Sequence, residues 1–168
     1  MAISMYQVSV PVFVRHLNGL TGCLKKAQAL YAERKYDESG LLGYRLHPDM
    51  FGFARQVQVA CDHAKNCAAL LAGLEAPKYE DNEKSLAELI ARVEKTIEYL
   101  NTIKPQQVDG SEEKSVTIKM RDRETKYTGL ELLLNRSMPN FYFHTTTAYD
   151  IIRHNGVEVG KRDFMGTN

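Results

Sequence analysis

Eight apolar side chains near the start of the chain, Tyr6, Val10, Phe13, Leu17, Leu20, Leu24, Ala27 and Tyr31, recur in alternating steps of four and three. That spacing puts all of them on one stripe of an α-helix, and such a stripe is stable only when partner helices cover it. Pro11 is tolerated only in a first turn, so the regular helix is expected to begin near Ser9. His16 flanks the stripe and reads as a partly buried or surface histidine without a functional role.

The same periodicity returns twice before the middle of the chain ends. A second helix is expected from about Pro48-Asp49, where a proline and an acid suit a first turn. Its stripe is Met50, Phe53, Val57, Ala60, Ala64, Cys67 and Leu71, and Gly73 ends it. Beside that stripe runs a second line, Gln56, Val59, His63 and Leu70, which would face a partner helix. The intervening YDESGLLGYRLHP reads as a connection, with His47 turned outward before Pro48. After the loop LEAPKYEDN, Ser85 and Glu88 have the spacing of a capping box. Leu86, Ile90, Val93, Ile97 and Leu100 follow as a third stripe, closed by Lys104-Pro105. The charges between them, Glu88, Arg92, Glu94, Lys95 and Glu98, read as a solvated face.

Residues 111–127 change period. Val116, Ile118 and Met120 alternate with polar residues, RDRE turns the chain, and Thr125 and Tyr127 alternate back. This predicts a short hairpin, which is marginal alone and must rest one face on the helices. The final helix is expected from Thr128, paired with Glu131 in a second capping box, to Asn155-Gly156. Leu130, Leu134, Phe141, Ala148 and Ile152 mark its apolar face, and Pro139 predicts a kink. The second and final helices should each run to roughly 25 residues, or about 37 Å. Val157, Val159 and Phe164 in the tail should dock on the helices. The expectation is all-α: a four-helix bundle with a small β-hairpin between the third and fourth helices, residues 1–168 forming one domain.

The totals remove several classes of function. Lysines and arginines number 22 against 21 aspartates and glutamates, for a net charge of +1. No basic stripe offers itself to nucleic acid, and no apolar run reaches the ~20 residues needed to cross a bilayer. The opening MAISMYQVSVPVF lacks the basic-then-apolar order of a signal peptide, so a cytoplasmic location is expected. Cys23, Cys61 and Cys67 form no metal or redox motif, and the last two fall in an apolar helical pattern that suits buried thiols.

Chemistry is expected only where polar side chains interrupt an inner face. Asn140 and His144, four apart, share one face of the final helix just past Pro139. His63 lies on the partner-facing line of the second helix. In a bundle, sites are built from inward-facing residues of adjacent helices, so these three can meet.

The phrases RLHPDMFGFARQVQVACDHAKN and PNFYFHTTTAYDIIRHNGVEVGK, with the order of helices and hairpin around them, resemble the DinB/YfiT-like superfamily, and within it an uncharacterised branch. The resemblance covers most of the chain. It implies a divalent-metal site, zinc or nickel, with one ligand from the second helix and an HxxxH pair from the fourth. His63 matches the first position and His144 the last; Asn140 stands where the remaining histidine belongs. A neutral amide suits harder cations than zinc or nickel, so the implied metal would be held weakly, be replaced by a hydrogen-bonded polar pocket, or be completed by some other side chain, for which Asp62 is poorly placed beside His63.

The resemblance further implies thiol-dependent transfer or hydrolysis on a small molecule, in which a metal lowers the pKa of a bound thiol or water. Tyr142 and Tyr149 would then orient the substrate; otherwise they are core or rim residues. The alternative is a non-catalytic bundle that has lost the metal and serves as a ligand pocket or structural protein. A small-molecule ligand and a homodimer are the expected partners, dimers being common in the superfamily.

Overall fold

The structure is a computed structural model that describes residues 3–120 and 123–167. In chain order the elements are α1 (Val10–Arg34), α2 (Glu38–Gly43), α3 (Phe53–Ala72), α4 (Leu86–Thr102), α5 (Pro105–Val108), β1 (Val116–Met120), β2 (Arg123–Tyr127), α6 (Gly129–Glu131), a π-helical segment (Leu132–Ser137), α7 (Met138–His154) and α8 (Lys161–Phe164). The bundle is formed by α1, α3, α4 and the last long helix, in which α6, the π segment and α7 run on without a break. α3 packs on α7 and α4, and α1 packs on α4 and α7.

The first stripe is buried as expected. Val10, Phe13, Leu17, Leu20, Leu24, Ala27 and Tyr31 all lie in the core, while Tyr6 packs at its edge before the helix begins after Ser9. Phe13 meets Phe141 of α7 edge to face at 5.0 Å between ring centres, which ties the first helix to the last. Ser85 caps α4 by accepting the Glu88 N–H, and Thr128 and Glu131 form a reciprocal capping box. Gly73 ends α3 in the left-handed conformation.

Three boundaries differ from the sequence expectation. The connection after α1 contains α2, capped by Asp37. α3 starts at Phe53 instead of at Pro48-Asp49, which makes it 20 residues long. Residues 47–50 form a turn, closed by the Met50 N–H on the His47 carbonyl, and the Phe53 N–H bonds back to Tyr44. A proline suits a first turn of helix but suits such a turn equally well. His47 is exposed as expected and touches Asp49.

The third difference lies in the last helix. Leu130 and Leu134 are 40% and 49% exposed, while Leu132, Leu133 and Ser137 are buried. Pro139 has no N–H to donate, and its ring crowds the carbonyl four residues back. The ladder before it is widened into a π turn over Leu132–Ser137. One extra residue in the turn rotates everything upstream by about 100° relative to a regular α-helix. The buried line therefore runs through Gly129, Leu133, Ser137 and Phe141 instead of through Leu130 and Leu134. A side chain at Gly129 would put its Cβ 2.0 Å from the Ser111 carbonyl oxygen, so the entry to this helix requires glycine.

The two strands pair antiparallel from Val116 opposite Tyr127 to Met120 opposite Arg123. Val116 is buried, and Ile118 and Tyr127 pack against the core. Of the expected turn RDRE, Arg123 and Glu124 belong to β2, and the other two residues lie outside the described ones. The tail docks as expected. Val157 and Val159 are buried, Arg153 donates to the Val159 carbonyl, and α8 lies on α1. All three cysteines are free and buried, and burial pushes the Cys61 and Cys67 thiols up to about 12, which leaves them inert at neutral pH. Among the described residues no helix is long and apolar enough to cross a membrane.

Candidate functional site between α3 and α7

Gln56 and His63 are seven residues apart on α3, and so return to the same side of the helix after two turns. α7 lies against that side. His144 is buried there, and its Nδ1 lies 2.6 Å from Gln56 Oε1. The Gln56 amide nitrogen donates to the Phe51 carbonyl at 3.0 Å. That bond leaves Oε1 as the acceptor, so Nδ1 of His144 carries the proton and Nε2 is its unprotonated nitrogen. The His63 ring lies nearly parallel to that of His144, at 13° with 6.0 Å between centres. Phe51 lies at 21° to His144, 6.3 Å away, and Phe143 meets it edge on at 5.2 Å. Phe51 and Phe143 are 52% and 55% exposed, so the imidazole pair sits at the surface end of an aromatic cluster.

Both imidazoles are held neutral. Burial, then the neighbouring His144 and the Arg136 guanidinium, push His63 down to about 4 from its ordinary value, with Asp62 pulling weakly the other way. Burial and Arg55 push His144 down as well. The Arg55 guanidinium lies over the Phe51 ring at 5.7 Å.

The structure brings together two of the three residues matched to a metal site. Asn140 lies one turn before His144, but its amide nitrogen donates to the Arg136 carbonyl of its own helix at 2.7 Å. Asp62, beside His63, is turned to Lys65 and Arg92 at 3.1 and 3.3 Å. Among the described residues no three His, Cys, Asp or Glu side chains stand together as a metal site. Two neutral imidazoles, one amide already engaged, and guanidinium groups that act on both histidines do not fit the three-histidine site that the superfamily implies. Tyr142 and Tyr149 direct their rings elsewhere, to His16 on α1 and to Phe164 on α8.

Sequence reasoning missed Gln56, Phe51, Phe143 and Arg55. Gln56 carried a signal: a buried-line amide two turns before His63. The exposed phenylalanines carried none, because isolated surface apolar residues are ordinary.

Arg92 is a correction. Expected on a solvated face, it is 4% exposed. Its Nη1 donates to the Glu80 carbonyl and Glu83, and its Nη2 to Asp81 and Asp62, at 2.8 to 3.3 Å. The α3–α4 loop folds over α4 and covers it, so a position that faces outward on the isolated helix is inward in the protein. A cleft of about 450 Å³ runs beside this network, lined by Tyr79, Glu80, Glu83, Arg92 and Lys95 among others, and not by the imidazole pair.

A helical bundle with a hairpin before its last helix, and a polar pair between the second and last long helices, defines the class. The comparisons with known proteins agree. A family described as a domain of unknown function (DUF1993) matches residues 5–165, and the chain belongs to it. A solved structure of a DinB family member protein from Shewanella denitrificans is similar over 96% of this chain and 91% of that one, with 39% identity and a TM-score of 0.85. No curated protein matches the chain.

Proposed function

We propose that this DinB-like protein binds a small molecule at the His63–His144 pair and does so without the three-histidine metal. The observation that carries the reading is the pair itself. Two neutral, parallel imidazoles lie at the seam of α3 and α7, one with its proton fixed by Gln56, beside two half-exposed phenylalanine rings. A fixed tautomer leaves His144 Nε2 as an acceptor, which can receive a hydrogen bond or a proton from a ligand hydroxyl or thiol. The phenylalanine rings supply apolar area beside it. Few convergent polar groups next to apolar surface are the usual make-up of a small-molecule site.

The test is a fragment titration followed by protein NMR. Saturable shifts confined to His63, His144, Phe51 and Phe143, and lost in His144→Ala, are expected. No such shifts with any fragment would overturn the reading.

A second reading, metal-dependent thiol transfer or hydrolysis, is favoured by one observation. Metal-bound histidines usually give their other ring nitrogen to an oxygen acceptor, as His144 does to Gln56. Metal content by plasma mass spectrometry, for the parent beside His63→Ala, separates the two. Sub-stoichiometric metal in both is expected. Near-stoichiometric metal that disappears in His63→Ala would replace the first reading with the second. Asn140→His, by restoring a third imidazole, should raise zinc affinity about tenfold or more; no gain would place Asn140 outside ligand reach.

A further inference from the structure

We infer that the ligand of this site is a small organic carboxylate with a flat apolar body, its carboxylate gripped by Arg55. This rests on the reading of the His63–His144 pair as a small-molecule site and names what that site selects.

The order of neighbours across the site is Arg55, Phe51, His144, His63, each next to the one before. Arg55 and His63 stand eight residues apart on α3, so Arg55, Val59 and His63 form one line along the helix. The site therefore has a cationic end, an aromatic middle and a neutral imidazole end. At the cationic end the Arg55 side chain is 39% exposed. It bonds through Nη1 alone, to Gln58 Oε1 at 3.2 Å and to the Asp81 carboxylate. The other edge of the guanidinium, Nε and Nη2, has no partner among the described residues. Two parallel N–H groups on one edge match the two oxygens of a carboxylate.

The local charge points the same way. Arg55 acts on His144 and Arg136 on His63, whereas the one carboxylate that acts on His63, Asp62, has its Oδ1 shared between Lys65 and Arg92. Asp81, the carboxylate that meets Arg55, is shared with Arg92, so neither nearby carboxylate is given to the site alone, and the field there favours an anion over a cation. The middle of the site is apolar: Phe51 and Phe143 are both more than half exposed and flank His144. At the far end, His63 makes no hydrogen bond among the described residues, and His144 offers Nε2. An anion with an apolar body satisfies the guanidinium edge and covers the rings; a bare inorganic anion does only the first.

The experiment titrates the protein with four probes, phenylacetate, benzyl alcohol, benzylamine and inorganic phosphate, reading the NMR signals of Phe51, His63, Phe143 and His144. Phenylacetate should saturate these shifts with an affinity about tenfold to a hundredfold above that of benzyl alcohol, the worth of a charge-assisted hydrogen-bond pair. Arg55→Gln should abolish that preference, and Arg55→Lys, which keeps charge but not the edge, should retain part of it. Thermal melts of both variants would show that the bundle still folds.

If benzyl alcohol or benzylamine binds at the four residues as tightly as phenylacetate, the small-molecule reading stands and the carboxylate inference falls. If phosphate alone binds, the apolar body is refuted. If none of the four moves these signals, the inference falls, while the broader fragment titration decides the reading beneath it.

Discussion

α3 carries polar side chains on two flanks, and the protein settles them in opposite ways. On the flank toward α4, Asp62 and Lys65 join Arg92, which is surrounded by Asp62, Asp81, Glu83 and the Glu80 carbonyl. Only Nε of that guanidinium is buried without a partner. On the flank toward α7, two imidazoles are neutral, and Arg55 has one edge engaged and the other open. A saturated network has nothing left to offer a ligand and serves to hold the α3–α4 loop on the bundle. An unsaturated one is held in place by its surroundings and keeps bonding capacity in reserve. Satisfied polar groups argue for structure, and open ones that stay buried or half-buried argue for binding.

The comparison breaks if the Arg92 network turns out to be dispensable. Arg92→Ala removes the cation that three carboxylates share, while leaving Glu83 at 10% side-chain exposure. Loss of one member of a largely buried ion network is expected to cost about 3–5 kcal/mol. Urea denaturation of parent and variant measures it, and a loss below about 1 kcal/mol would mean the network is as weak as a surface pair.

The register of the last helix decides whether His144 faces α3 at all, and a pair of leucines tests it. Leu133 is fully buried and Leu134 is 49% exposed. Leu133→Ala should therefore cost about 2–4 kcal/mol, as core truncations do, and Leu134→Ala within about 0.5 kcal/mol of nothing. Equal losses would indicate a regular α-helix, with the face of His144 rotated away from α3.

Acid sharpens the contrast on the α7 flank. His63 takes up a proton near its ordinary value in the unfolded chain but only at about 4 in the folded protein. Its contribution is therefore complete above about pH 6.5 and is lost as pH falls through about 4, because the unfolded state binds the proton first. The loss attributable to this one group is about 3 kcal/mol. His63→Gln keeps a neutral polar side chain and should flatten the stability profile across that window. Parallel profiles for parent and variant would show that His63 is already solvated.

Much of this was legible in the sequence, for physical reasons that also explain what was not. The stripe from Val10 to Tyr31, the caps at Ser85 and Thr128 and the hairpin around Val116 rest on local periodicity and short-range hydrogen bonds, and these the chain carries in its order. His63 and His144 were legible as a location because heptad spacing puts each on an inner face. The π segment was not, since Pro139 announces a disturbed ladder but not whether the helix kinks or takes in an extra residue. Arg92 was misread because only the loop from Lys78 to Glu83, distant from the face it covers, turns that face inward. Gln56 and Arg55 became visible as site residues only when α7 was laid against them.

Asp81 joins the two flanks, and the smallest expected effect comes from removing its charge. One of its oxygens accepts from Arg92 at 2.9 Å and the other pairs with Arg55. In Asp81→Asn, Arg92 keeps Glu83 and Asp62, and Asp81 itself is 38% exposed, so stability should fall by only about 1 kcal/mol. Arg55, relieved of its internal carboxylate, should bind phenylacetate more tightly, by roughly threefold to tenfold, a screened charge at a half-exposed site being worth about that much. Both readings come from one variant, and their signs are opposite. A loss of several kcal/mol would place Asp81 wholly within the structural network. Unchanged phenylacetate affinity would show that Arg55 answers to the ligand independently of the loop, and the two flanks would then share a helix without sharing a charge.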